Sequence, residues 1–211
     1  MNNKSQIILA LESAINGGSI SLLRDRTEIA HWIGPSNVSK AEDLLANIDT
    51  LLSENGVSRH EIDLLAVSAG PGSFTGIRIG IVTALGLKAG LSIDMASNSV
   101  LKAMVATQTT SGNFMPAVPV GRNAICIQSF EKSGPFVIPL DQPRTVTEDE
   151  FAKMLKVSTS AEYILHGSLY DTFQAGGEHI NFGTNLAVAI GRLCSQNPDT
   201  VTKPLFISKS F

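Results

Sequence analysis

LAVSAGPGSFTGIRIGIVTALGLKAG, Leu65 to Gly90, is the stretch whose reading decides the fold of this 211-residue chain. An apolar run with the density of a central strand, EIDLLAVSAG, leads into it, and Gly70, Pro71 and Gly72 interrupt that run. A helix is predicted from Ser73 to Gly90, so strand, glycine turn and helix make half of a crossover unit.

The turn can be read as a phosphate cradle, a nucleophile's perch or a joint. A Walker A loop needs G-x-x-x-x-G-K-[ST]; neither Gly70 nor Gly72 has that spacing to Gly76, and Ile77 stands where the Lys belongs. A dinucleotide fingerprint read from Gly70 ends on Thr75 instead of glycine. Ser73 lacks a G-x-S-x-G frame, and His31, His60, His166 and His179 are remote from it in sequence and form no H-x-x-x-H pair. The free N–H groups of a helix start can still draw an anion. A joint explains more of the residues: the glycines permit a sharp turn, Pro71 fixes one φ angle, and Ser73 or Thr75 caps the helix.

Within the helix, Gly76, Gly80 and Ala84 form a stripe without bulk, and Ile77, Ile81 and Leu85 form a second stripe beside it, so burial on two sides is expected. An interior glycine costs about 0.5–1 kcal/mol relative to alanine, and Gly76, Gly80 and Gly86 therefore require compensation. Close approach of another helix would supply it, either the preceding helix of this chain or one from another protein.

Upstream, SQIILALES, SISLLRD and TEIAHWI read as three antiparallel strands, the first two joined by INGG. Helix one is expected from Ser39 to Asn55: Ser39 and Glu42 make a capping box, Leu44, Leu45, Ile48, Leu51 and Leu52 keep helical spacing, and Gly56 supplies a left-handed cap. Downstream, SIDMAS is a short parallel strand and NSVLKAMVATQ a helix capped by Asn98. TTSGNFMP near Thr109 marks the expected boundary between a first lobe, 1–108, and a smaller second lobe, 109–211. There MPAVPV and NAICIQSF should pair around Gly121 and Arg122, and Pro135 and Pro139 put GPFVIPL at a sheet edge. TEDEFAKMLK, AEYILHG and TNLAVAIGRLCSQ follow as helix, strand and helix.

With 43% hydrophobic residues the chain can bury a proper core, and a formal charge of −3 gives no overall basic footprint for nucleic acid. Cys126 and Cys194 form no C-x-x-C pair and are expected as buried thiols in a reducing cytosol. No cleavable leader is legible at the N-terminus, and no window is expected to reach the roughly 18 apolar residues of a membrane span. A cytoplasmic protein is the expectation.

The residues AGPGSFTGIRIGIVTALGLKAGL closely resemble the signature of the TsaB (YeaZ) family, bacterial subunits of the machinery that installs threonylcarbamoyladenosine on tRNA, and the likeness runs over about Ile7 to Ala106. The resemblance implies an α/β, actin-like (ribonuclease-H-like) fold of two lobes with a mixed sheet opening on an antiparallel hairpin. It implies a non-catalytic subunit that docks a TsaD-type threonylcarbamoyl transferase through helix one and the glycine helix. On this chain that interface falls on Leu44, Leu45, Ile48, Gly76, Ile77, Arg78, Gly80, Ile81 and Ala84. A TsaE-type ATPase joins such a pair, and family members also self-associate through the same face. No catalytic residue, metal or cofactor of its own is implied, and a nucleotide only at an interface shared with partners. Three segments depart from the family pattern: Glu12, Ser13, Ala14 replace Asp-Thr-Ser; Lys40, Ala41, Glu42 replace His-Ser-Glu; Val120, Gly121, Arg122 replace Asp-Ala-Arg.

Three function classes compete on this reading. A binding subunit needs only the helix pair. An ATP-using enzyme of the actin-like type needs acidic side chains to position magnesium-bound phosphates, and Glu12 is the remaining candidate. A peptidase has neither a nucleophile frame nor metal ligands to support it. The binding subunit is preferred.

Overall fold

The computed structural model describes residues 5–15, 17–35, 43–157, 160–173, 180–182 and 185–196. The Ser39–Glu42 capping box, the Lys40–Ala41 departure and His179 lie outside the described residues.

The N-terminal strands form as the apolar patterning predicts. β1 (Ile7–Glu12) pairs antiparallel with β2 (Ser19–Arg24), which pairs antiparallel with β3 (Thr27–Ile33). β4 (Leu64–Ser68) and β5 (Asp94–Asn98) add in parallel on the other side of β1, giving the order β3-β2-β1-β4-β5. This mixed five-stranded sheet is the arrangement of an actin-like, ribonuclease-H-like fold. β1 and β4 are buried at every position because helices cover both faces of the sheet, which is why their sequences are continuously apolar and not alternating.

On one face lie α1 (Leu44–Glu54) and α2 (Phe74–Leu91). Helix α1 buries Leu44, Ile48, Leu51 and Leu52, and Gly56 follows at φ +64°, as the left-handed cap requires. Helix α2 runs one residue past Gly90 and stops at Ser92, which adopts a left-handed φ of +54°. By length and composition α2 is apolar enough to cross a membrane, contrary to the sequence expectation. Its inner residues Gly76, Ile77, Gly80, Ile81 and Ala84 are nevertheless buried on the sheet. The opposite face carries α3 (Val100–Ala106) and, from the far end of the chain, α6 (Ala187–Gln196), after α4 and α5 described below. The cap of α3 is Ser99, whose hydroxyl accepts from Leu101 N; Asn98, expected in that role, closes β5 and accepts from Ser99 N.

A second, seven-stranded sheet is built from β6 (Gly112–Gly121), β7 (Ala124–Ile127), β8 (Phe130–Ser133), β9 (Phe136–Pro139), β10 (Arg144–Thr147), β11 (Glu162–His166) and β12 (Ile180–Phe182). β6 and β7 form the expected hairpin, and β9 pairs with β8 alone, at the edge where its prolines place it. α4 (Glu148–Leu155) starts on the capping box of Thr147 and Glu150, and α5 (Gly167–Phe173) follows β11 directly. Alternate residues of β6 point to different cores. Phe114 and Val118 join the main core with α3 and α6, whereas Met115 and Ala117 pack with Phe151, Tyr163 and Leu169. Edge-to-face stacking of Phe151 on Tyr163 and Phe173 fixes that smaller core. Cys126 and Cys194 are free and buried, and burial pushes both thiols up to about 12.

Candidate functional site

The glycine turn is closed by the chain's own backbone. Strand β1 ends at Glu12, and the loop after it lies along α2: Ser73 N donates to the Ala14 carbonyl at 2.5 Å, and the Ser13 hydroxyl donates to the Gly76 carbonyl at 2.8 Å. A Cβ built on Gly72 would collide with the Ala14 carbonyl, one on Gly76 with the Ser13 carbonyl, and one on Gly80 with the Ser13 hydroxyl. The expected visitor to the bulk-free stripe, a neighbouring helix, is therefore corrected to the β1–β2 loop. At Gly72 and Gly76 glycine is needed because a backbone segment sits where a side chain would be. Among the described residues no neighbour lies within 4 Å of a Cβ on Gly86, so none of them compensates that glycine.

Glu12 braces this loop from the other end. Its Oε1 accepts from Ala14 N at 2.6 Å and Ile15 N at 3.2 Å, and the residue is 1% exposed. Burial pushes its carboxyl up to about 7, against the opposing pull of the Ala14 and Ile15 amides and the Ser68 hydroxyl. The Ser73 hydroxyl accepts from Gly76 N, so it serves as the N-cap of α2. Among the described residues no group of three or more His, Cys, Asp or Glu side chains is placed to hold a metal.

The nine residues that sequence reasoning assigned to a partner face divide sharply. Leu44, Ile48, Gly76, Ile77, Gly80, Ile81 and Ala84 are buried within this chain, packed on the sheet and the β1–β2 loop. Leu45 and Arg78 are exposed. The outer side of α2 presents residues the sequence reading passed over or placed inside: Phe74 at 51% exposure, Val82 at 66% and Leu85 at 49%. The guanidinium of Arg78 lies 3.7 Å from the centre of the Phe74 ring, a cation–π contact on that same side. Adjacent α1 adds Leu45, 54% exposed. Helical spacing could have found the stripe, since Phe74, Arg78, Val82 and Leu85 fall on one side at i, i+4, i+8 and i+11. What hid it was that both sides of α2 are apolar.

The strand order of the first sheet and the helices on its two faces give the chain an actin-like fold. A family model described as "TsaD: tRNA N6-adenosine threonylcarbamoyltransferase" matches residues 33–194. The tRNA threonylcarbamoyladenosine biosynthesis protein TsaB of Escherichia coli (strain K12) is 38% identical over 98 residues, 46% of this chain and 42% of that protein. The protein of the same name from Bacillus subtilis (strain 168) is 30% identical over 99 residues, 47% of this chain and 43% of the relative. The matched part thus spans less than half the length of these curated relatives. The solved structure titled YeaZ from Pseudomonas aeruginosa superposes with a TM-score of 0.70 at 18% identity, covering 93% of this chain and 99% of that one. The chain belongs to the family this model describes, in its TsaB (YeaZ) branch.

Proposed function

We propose that the chain is a non-catalytic subunit in the biosynthesis of threonylcarbamoyladenosine on tRNA, and that it works in the cytoplasm by holding a TsaD-type transferase. The observation that carries this reading is the exposed apolar side of α2, Phe74, Val82 and Leu85, continued by Leu45 of α1. Large apolar side chains grouped on one helical face mark a surface for a protein partner. The names of the relatives supply the process. Burial of Glu12 supports the non-catalytic part, because an acid that positions a magnesium-bound phosphate must reach it, and this one is turned to backbone amides.

A TsaE-type ATPase as third component, and self-association through the same helical side, belong to the same proposal. So does the division into two lobes at 1–108 and 109–211, with α6 of the later segment returning to complete the first sheet. Size-exclusion chromatography with light scattering, on the chain alone and mixed with the TsaD homologue of its own organism, tests the role. A one-to-one complex that replaces any homodimer is the expected result. Indifference to that homologue at micromolar concentration would leave the fold and remove the role.

A further inference from the structure

On the opposite side of the sheet from α1 and α2, a cavity of about 90 Å³ opens where the β2–β3 turn, the end of α3, the β8–β9 hairpin and α6 meet. It is lined by Arg26, Lys132 and Arg192, with no carboxylate among the described residues that line it. Three cations in one cleft are unusual on a chain of net charge −3. Each is held in place by a neutral acceptor. The Arg192 Nε donates to the Arg26 carbonyl at 3.0 Å, the Arg26 guanidinium donates to the side-chain oxygen of Gln196 at 2.6 Å and 3.2 Å, and the Lys132 ammonium donates to the Gly134 carbonyl. Lys132 is only 8% exposed. A lysine so placed is ordinarily paired with an acid, whereas here the described residues give it a single carbonyl and leave donors over.

Helix C-termini cannot account for the arrangement by charge. The ends of α3 and α6 face this cleft, but each carries at most about half a negative charge, less than the three cations present. From this we infer that the cleft is a binding site for a phosphate-sized polyatomic anion, separate from the helical side assigned to the partner. Size decides between a phosphate group and a whole nucleotide. The volume corresponds to about three water molecules, far below the roughly 300 Å³ at which small-molecule pockets begin. Lys132 would supply the fixed charge at the floor, and the two arginines would close on the oxygens from the rim.

Thermal unfolding of the full chain in inorganic phosphate, compared with chloride at matched ionic strength, tests the site. A phosphate-specific rise of roughly 3–6 °C is expected at tenfold saturation. The double variant Arg26→Gln/Arg192→Gln, at exposed positions, should keep its far-UV circular dichroism and lose that rise. Amide shifts on adding phosphate to the unaltered chain, confined to residues near Thr107, Lys132 and Arg192, give a second measurement that needs no variant. Glycerol phosphate in place of phosphate distinguishes the source: a larger rise identifies a phosphomonoester end as the ligand, an equal one the free ion. Equal stabilisation by chloride and phosphate, or a rise that survives in the double variant, would overturn the proposal.

Discussion

The two sides of α2 are both apolar and have opposite assignments. On the inner side Gly76 and Gly80 are pressed against Ser13, and the segment that fills the space is this chain's own loop. On the outer side Phe74, Val82 and Leu85 present large side chains that the described chain leaves exposed. Apolar character alone therefore does not say what a helix face meets. Small residues mark where backbone comes close, and large exposed ones mark where another molecule is needed.

The sharpest way to break this comparison is to add bulk inside. Gly76→Val should destabilise the isolated chain by about 4 kcal/mol or more, because the Ser13–Ala14 backbone cannot retreat without losing the bond from Ser73 N to the Ala14 carbonyl and that of the Ser13 hydroxyl to the Gly76 carbonyl. Gly80→Leu, which meets the Ser13 hydroxyl, should cost about 1–3 kcal/mol. Denaturant unfolding measures it, and a chain that stayed folded while only complex formation failed would turn the stripe outward again. Next comes the brace. An acid whose pKa rises from 4.5 unfolded to about 7 folded stabilises the fold fully below pH 4.5 and loses that contribution as pH climbs through 7. The loss is about 3 kcal/mol. His166, lowered by burial from 6.5, tilts stability the other way as pH falls, so the comparison is between the chain and its Glu12→Gln variant across pH 5 to 8. Glutamine keeps the acceptor for Ala14 and Ile15, and its stability should lack the downward slope; an unchanged slope would remove Glu12 as its source.

On the outer side, Val82→Asp with Leu85→Asp should weaken binding to the TsaD-type partner at least about 100-fold, close to 2.7 kcal/mol, with the melting temperature of the isolated chain almost unmoved. Calorimetric titration reads the first and thermal unfolding the second. Unaltered affinity would take the partner elsewhere. The smallest effect belongs to the cap between the two sides: Ser73→Ala should cost about 1 kcal/mol, because Gly76 N loses its acceptor, and leave partner affinity alone.

Most of the first sheet was legible in the sequence, since buried parallel strands write continuous apolar runs and a capped glycine turn writes its own punctuation. Gly70, Pro71, Gly72 and Ser73 sufficed to read a joint. The occupant of the glycine stripe was not legible, because the segment that fills it, Ser13–Ala14, lies about sixty residues away and carries no pattern that marks it as a neighbour. Leu85 was expected inside on helical spacing and lies outside, which follows from the narrowness of the buried side once backbone replaces side chains there. In the second sheet β10, α5 and β12 escaped the sequence reading, being short and weakly patterned, whereas the β6–β7 hairpin, the edge strand marked by Pro135 and Pro139, α4 and β11 were legible. The cationic cleft was illegible, for Arg26, Lys132 and Arg192 come from three distant segments of an acidic chain.

The return of α6 to the first sheet has a consequence for synthesis on the ribosome. Gly191 rests on Ala10 and Leu23, so the face of strands made within the first hundred residues waits for a helix that ends at Gln196. At 5–20 residues per second, roughly 5–20 s separate completion of the sheet from arrival of its cover. During that interval a nascent chain has only α3 on that face, and the apolar positions that α6 will cover stand open to water.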